Sequence, residues 1–112
     1  MQTKLQSSKH AEIRIKERMG ITGKKQIKEL VHNSYRKGTT FYKHYIPKAT
    51  LTWVSYKVND KYFGRCDWRI YQNFLFLYSR SLTLVTVIEV PEHLRIIKSN
   101  KELEKGFMNR YK

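Results

Sequence analysis

Between Trp68 and Pro91 the chain runs W-R-I-Y-Q-N-F-L-F-L-Y-S-R-S-L-T-L-V-T-V-I-E-V-P, nearly uncharged and dense in aromatic and β-branched residues. Side chains of this kind favour a pleated, buried surface, so the run predicts a sheet. Turn-forming residues divide it into strands at Cys66–Gln72, Phe74–Ser79 and Leu82–Val90, joined at Gln72-Asn73 and Ser79–Ser81. Connections this short impose an antiparallel meander, because parallel neighbours need a crossover of about a dozen residues or more. Strict alternation in the last strand puts Leu82, Leu84, Thr86, Ile88 and Val90 on one face. Thr83, Val85, Val87 and Glu89 take the other. Both faces are largely apolar, which predicts a central strand covered on both sides and ended by Pro91.

Two helices are expected before the sheet. Ala11, Ile15 and Met19 recur every fourth residue over 8–19, with Ser8 placed to cap and Gly20 to terminate. From Thr22, read as a second cap, to about Lys37, the residues Ile27, Leu30, Val31, Ser34 and Tyr35 keep the helical period, and Gly38 closes the element. Thr39–Gly64 fits a helix or a strand. A new element starts at Pro47, and the β-branched and aromatic content favours strand. Asn100 could cap a short closing helix carrying Leu103, Phe107 and Tyr111. The expected fold is α+β: two N-terminal helices packed on a twisted antiparallel meander of at least three strands, with a short C-terminal helix. At 112 residues it should form one domain with one modest core.

Charge narrows the partner. Lys and Arg number 23 against 9 Asp and Glu, a formal net charge of +14. Residues 1–48 hold 12 basic and 3 acidic side chains, and residues 49–112 hold 11 and 6, so the N-terminal half is the more electropositive. A coat that only solubilises normally mixes both signs. An excess of this size attracts polyphosphate, nucleic acid first. Cys66 stands alone, so neither an intramolecular disulfide nor a cysteine zinc site is expected, and a packing role in a reduced, cytoplasmic setting fits. There is no apolar run of about 18 residues and no signal-peptide core, so no membrane partner is expected. His32, His44 and His93 lack carboxylates at ligand spacing, and no glycine-rich phosphate loop occurs, so neither metal nor cofactor is expected.

His10, Arg14 and Arg18 are spaced four and four, a helical row at about 0°, 40° and 80° beside the apolar stripe. Imidazole can carry a proton near neutral pH and guanidinium holds phosphate, so the row suits phosphate-ester chemistry. It also suits an ordinary basic helix face. Arg69 and Tyr71 point to one side of their strand, and Thr86 places a hydroxyl on an apolar face. These three could orient a phosphate opposite His10, or Thr86 could simply bond backbone within the sheet. Metal-independent cleavage would suit RNA, whose 2′-hydroxyl is an internal nucleophile. Interleaved aromatics and lysines over 41–65 also suit base stacking on a basic groove, or a core. Two helices meeting at Gly20-Ile21 could equally mimic a DNA-binding helix-turn-helix.

K-H-A-E-I-R-I-K-E-R-M-G-I, W-R-I-Y-Q-N-F-L-F-L-Y and L-T-L-V-T-V-I-E-V-P together resemble the barnase–EndoU–colicin–RelE superfamily of small metal-independent ribonucleases of toxin–antitoxin pairs and phages. The resemblance covers residues 9–21 and 66–91, and it favours a helix after Pro47, which is the reading preferred there over a strand. It implies an endoribonuclease leaving a 2′,3′-cyclic phosphate, with His10, Arg14, Tyr71 and Thr86 catalytic. It further implies Arg18 and Arg69 on phosphate, and an acidic antitoxin or immunity protein as partner; Lys24 and Lys25, in the more electropositive half, are expected on nucleic acid as well. The alternative is a non-catalytic phage or mobile-element protein that binds nucleic acid or blocks a host nucleoprotein complex.

Overall fold

One hydroxyl joins the first helix to a late strand of the sheet. Ser8 Oγ accepts from Ala11 N–H at 3.0 Å, capping the helix, and donates to the Val85 carbonyl of the sheet at 3.3 Å. The computed structural model describes residues 5–40, 44–62, 66–95 and 98–99. Within them lie β1 (Gln6–Ser7), α1 (Lys9–Met19), α2 (Lys24–Lys37), β2 (His44–Tyr45) and α3 (Lys48–Tyr62). They are followed by β3 (Asp67–Tyr71), β4 (Phe74–Tyr78), β5 (Thr83–Glu89), a 3-10 turn (Glu92–Leu94) and β6 (Lys98–Ser99).

The class is α+β as expected, with the helices before the meander. The helix preferred for the middle of the chain is α3. Two details differ. α2 begins at Lys24 behind Gly23, without the side-chain cap assigned to Thr22. β1, too short for a sequence signal, pairs parallel with β5 and makes the sheet mixed. The expected closing helix falls on 100–112, outside the described residues.

The main sheet has the order β1-β5-β4-β3, and a second two-stranded sheet pairs β2 with β6. Gln72 and Asn73 take φ of 50° and 67°, left-handed at both central positions of the β3–β4 hairpin. That geometry matches the right-handed twist of the strands it joins. One sheet face packs under α1 and α2 through Ala11, Ile15, Ile27, Leu30, Val31, Phe76, Tyr78, Leu84 and Val87. The other packs under α3 through Val54, Val58, Ile70, Leu75, Leu77, Val90 and Leu94. Thr50 Oγ1, buried on α3, donates to the Leu94 carbonyl at 2.9 Å and ties that helix to the 3-10 turn.

The strict alternation expected of β5 is broken. Leu77 pairs with Thr86, whereas Tyr78 pairs with Leu84, so Val85 is an extra residue in the strand. A bulge of this kind shifts everything beyond it to the opposite face. Leu84 therefore joins Val87 beneath α1 and α2, and Thr86 takes the face of its partner Leu77, beneath α3. The bulged carbonyl is the one that Ser8 Oγ satisfies.

At the other edge α2 meets β3 at backbone distance. Gly38 N–H donates to the Ser34 carbonyl at 3.0 Å, and Thr39 and Ile70 exchange two 2.8 Å backbone bonds. A Cβ on Gly38 would overlap the Ser34 carbonyl oxygen and lie 2.8 Å from Arg69 Cβ. Gly38→Ala should thus cost about 1–3 kcal/mol, the range for overpacking, read from urea denaturation with an unchanged m-value.

Candidate nucleic-acid interface

The row His10, Arg14, Arg18 starts in solvent and ends on the sheet. Each step of four residues turns about 40° around the helix, so the three drift toward the buried stripe along α1. His10 is exposed, Arg14 is half-exposed and paired with Glu17 at 2.9 Å, and Arg18 Nη1 donates to the Val87 carbonyl at 2.7 Å. Val90 N–H bonds Asn73 on the β4 side, so by alternation the Val87 carbonyl faces the open edge of β5. Arg18 therefore covers a strand edge that β1 does not reach.

The groups expected to oppose His10 do not converge on it. Thr86 lies on the α3 side of the sheet. Tyr71 is on β3, two strands from the β5 that α1 covers, about 10 Å across at usual strand spacing. Its ring packs edge-on to Phe76, with centroids 6.4 Å apart. Arg69 does share the side of Tyr71, as expected, but is held elsewhere. Its Nε donates to the Tyr35 carbonyl at 3.1 Å, and its Nη1 to Asp67 Oδ1 at 2.7 Å and the Trp68 carbonyl at 2.8 Å. The guanidinium lies 4.4 Å over the Tyr35 ring, with 12% of the side chain exposed. Arg69 clamps the end of α2 to β3, whereas the resemblance implies a place for it on phosphate. Burial, and then the Asp67 carboxylate, push the Cys66 thiol pKa up, which disfavours the thiolate and suits a packing residue.

What the fold does assemble is a cationic surface on α2. Ile27, Leu30, Val31 and Ser34 are buried. On the opposite side, spaced three, four and four, run Lys25, Lys28, His32 and Arg36, flanked by Lys24 and Lys37. Lys24, Lys25, Lys28, Arg36 and Lys37 are exposed, and Glu29 is the single carboxylate of the helix. Lys24, Lys25 and Lys28 form no ion pair among the described residues. From Lys25 to Arg36 the row spans about 16 Å at the helical rise of 1.5 Å per residue. Beside its first turn lies a cleft of about 410 Å³, lined by Gln6, Ser7, Glu12, Lys24 and Lys28 with Leu5, Ile27 and Val31 at its base. Lys24 and Lys25 are expected at such a surface from the sequence. Lys28, His32 and Arg36 are additions, although their spacing is the complement of the apolar stripe and is legible alongside it.

No family model, curated protein or solved structure matches this chain. Among the described residues no helix is long and apolar enough to cross a membrane.

Proposed function

We propose that the chain is a non-catalytic RNA-binding protein that docks phosphates on the outer face of α2. The observation that carries this reading is the α2 row itself: lysines, a histidine and an arginine on one side of a helix whose other side is core. Exposed cations on a rigid element contact successive phosphates at no folding cost, and their counterion release dominates affinity. The cleft at the first turn adds Gln6 and Ser7 as hydrogen-bonding neighbours. Against a ribonuclease stand the exposed His10, the placement of Thr86 beneath α3, and the engagement of Arg69 in the fold. An acidic protein, the partner that the resemblance implies, would compete for the same α2 face by charge complementarity.

The test is a salt titration of RNA affinity. Lys24, Lys25 and Lys28 changed together to Gln should lower the slope of log K against log salt by about 2, at roughly 0.7–0.9 for each phosphate no longer neutralised. Affinity at physiological salt should fall at least tenfold, and wild-type protein in chelator should leave RNA intact. An unchanged slope refutes the α2 interface. Cleavage that persists in chelator and disappears in His10→Ala would restore the ribonuclease.

A further inference from the structure

On the other side of the sheet, α3 carries a feature that the α2 surface does not use. Tyr56 is 74% exposed, and the only other large apolar side chain exposed among the described residues is Ile13, at 46%. The core-facing residues of α3 are Thr50, Val54 and Val58. At 100° per residue Tyr56 stands about 160° from the middle of that stripe, so packing does not require it. Around it Lys48, Leu51, Thr52, Ser55 and Asn59 line a groove of about 530 Å³ along the helix.

We infer that this face of α3 is a stacking site for an unpaired nucleobase, with Tyr56 as the platform. It rests on the reading of the chain as a nucleic-acid binder and adds a second contact surface on the opposite side of the sheet. An exposed phenol ring offers a π-face to any base, and a base within a duplex is already stacked and cannot use it. The lining matches the rest of a nucleotide. Leu51 gives apolar floor, Ser55 and Asn59 present donors and acceptors to a base edge, and Lys48 supplies a cation for phosphate. Thr52 is already engaged, donating to the Lys48 carbonyl at 2.9 Å. No carboxylate lines the groove among the described residues. Charge also selects the occupant: a second copy of the chain would bring another +14, whereas a polyanion neutralises it.

Fluorescence anisotropy with oligo-A RNA, oligo-dA DNA and an RNA duplex, each about 12 nucleotides or base pairs long, tests the site. Tyr56→Ala should weaken single-strand binding about 5- to 150-fold, the worth of one stacked base, while Tyr56→Trp preserves it. Duplex affinity and salt slope should not change, because those belong to α2. Parallel losses on RNA and DNA are expected, since stacking ignores the 2′-hydroxyl, and a loss on one alone assigns the site to that strand type. The exposed position should leave the thermal midpoint unchanged, which separates lost stacking from lost folding. Unaltered single-strand binding by a folded Tyr56→Ala overturns the site. If the triple lysine variant still loses affinity in that case, the α2 reading survives alone; if wild type binds no probe even at low salt, both fail.

Discussion

Arg69→Lys should destabilise the protein by about 2–4 kcal/mol, lowering its thermal midpoint by on the order of 10 °C, although the charge is kept. The guanidinium meets the Tyr35 carbonyl in the last turn of α2, the Trp68 carbonyl, and Asp67 Oδ1, and its Cζ lies 4.4 Å from the centre of the Tyr35 ring. A single ammonium nitrogen cannot reproduce the planar fork that serves acceptors along two edges at once, nor stack as a plane on an aromatic face. Carbonyls left without their donor would then carry a desolvation penalty in a region where the side chain is 12% exposed. Circular dichroism melts of Arg69→Lys and Arg69→Ala measure the effect. If lysine matches the wild type within about 0.5 kcal/mol, Arg69 is no clamp, and its expected role on phosphate reopens.

Tyr78→Phe should make the protein less stable at pH 8 and more stable near pH 12. Tyr78 is wholly buried on β4, its hydroxyl bonded to Ser34 Oγ and to the Val31 carbonyl. Losing those bonds at pH 8 should cost about 1 kcal/mol. Burial pushes the phenol pKa up to about 12, with the Ser34 hydroxyl and then the Arg69 charge working in the opposite sense. In the unfolded chain a tyrosine ionises near pH 10. Below about pH 10 both states keep the proton and stability does not change with this group. Between about pH 10 and 12 the unfolded state alone has lost it, so stability falls with rising pH. The full drop is about 2–3 kcal/mol, at roughly 1.4 kcal/mol for each pH unit that separates folded from unfolded ionisation. Phenylalanine has no proton to lose, so the two denaturant-midpoint curves should cross near about pH 11. Parallel curves across that whole alkaline range would contradict the assignment, and the other tyrosines and the lysines cancel in the comparison.

Both results depend on how α2 sits on β3 and β4, a packing of which each part is visible separately. The helical period of Ile27, Leu30, Val31 and Ser34 marks the buried side of α2, and F-L-F-L-Y marks a strand covered on both faces. What pairs Ser34 with Tyr78, or stacks Tyr35 under Arg69, is the crossing of a helix over strands far later in the chain. Local spacing carries no information about that crossing. Thr86 departs from expectation for a related reason. L-T-L-V-T-V has apolar residues at both odd and even positions and no glycine or proline to mark a break, and the bulge at Val85 is defined by the register against β4, with Ser8 Oγ donating to its carbonyl. Patterns within one strand cannot reveal an extra residue that only its neighbour defines. For His10 the drift of its row follows from helical geometry alone, but the end of the row that meets the sheet depends on where α1 lies across β5.

By itself, then, the order of residues determined the strongly basic character, the two N-terminal helices, the three-stranded meander and its Gln72-Asn73 turn. Each of these follows from charge or from short-range sterics and periodicity. The tertiary structure alone decided that Arg69 serves the fold, that Thr86 and His10 lie apart, and that Tyr56 is left uncovered on α3. Those outcomes depend on which face each element buries against a distant one. Faces are chosen by packing and register across the whole chain, where a single inserted residue or helix crossing exchanges inside for outside.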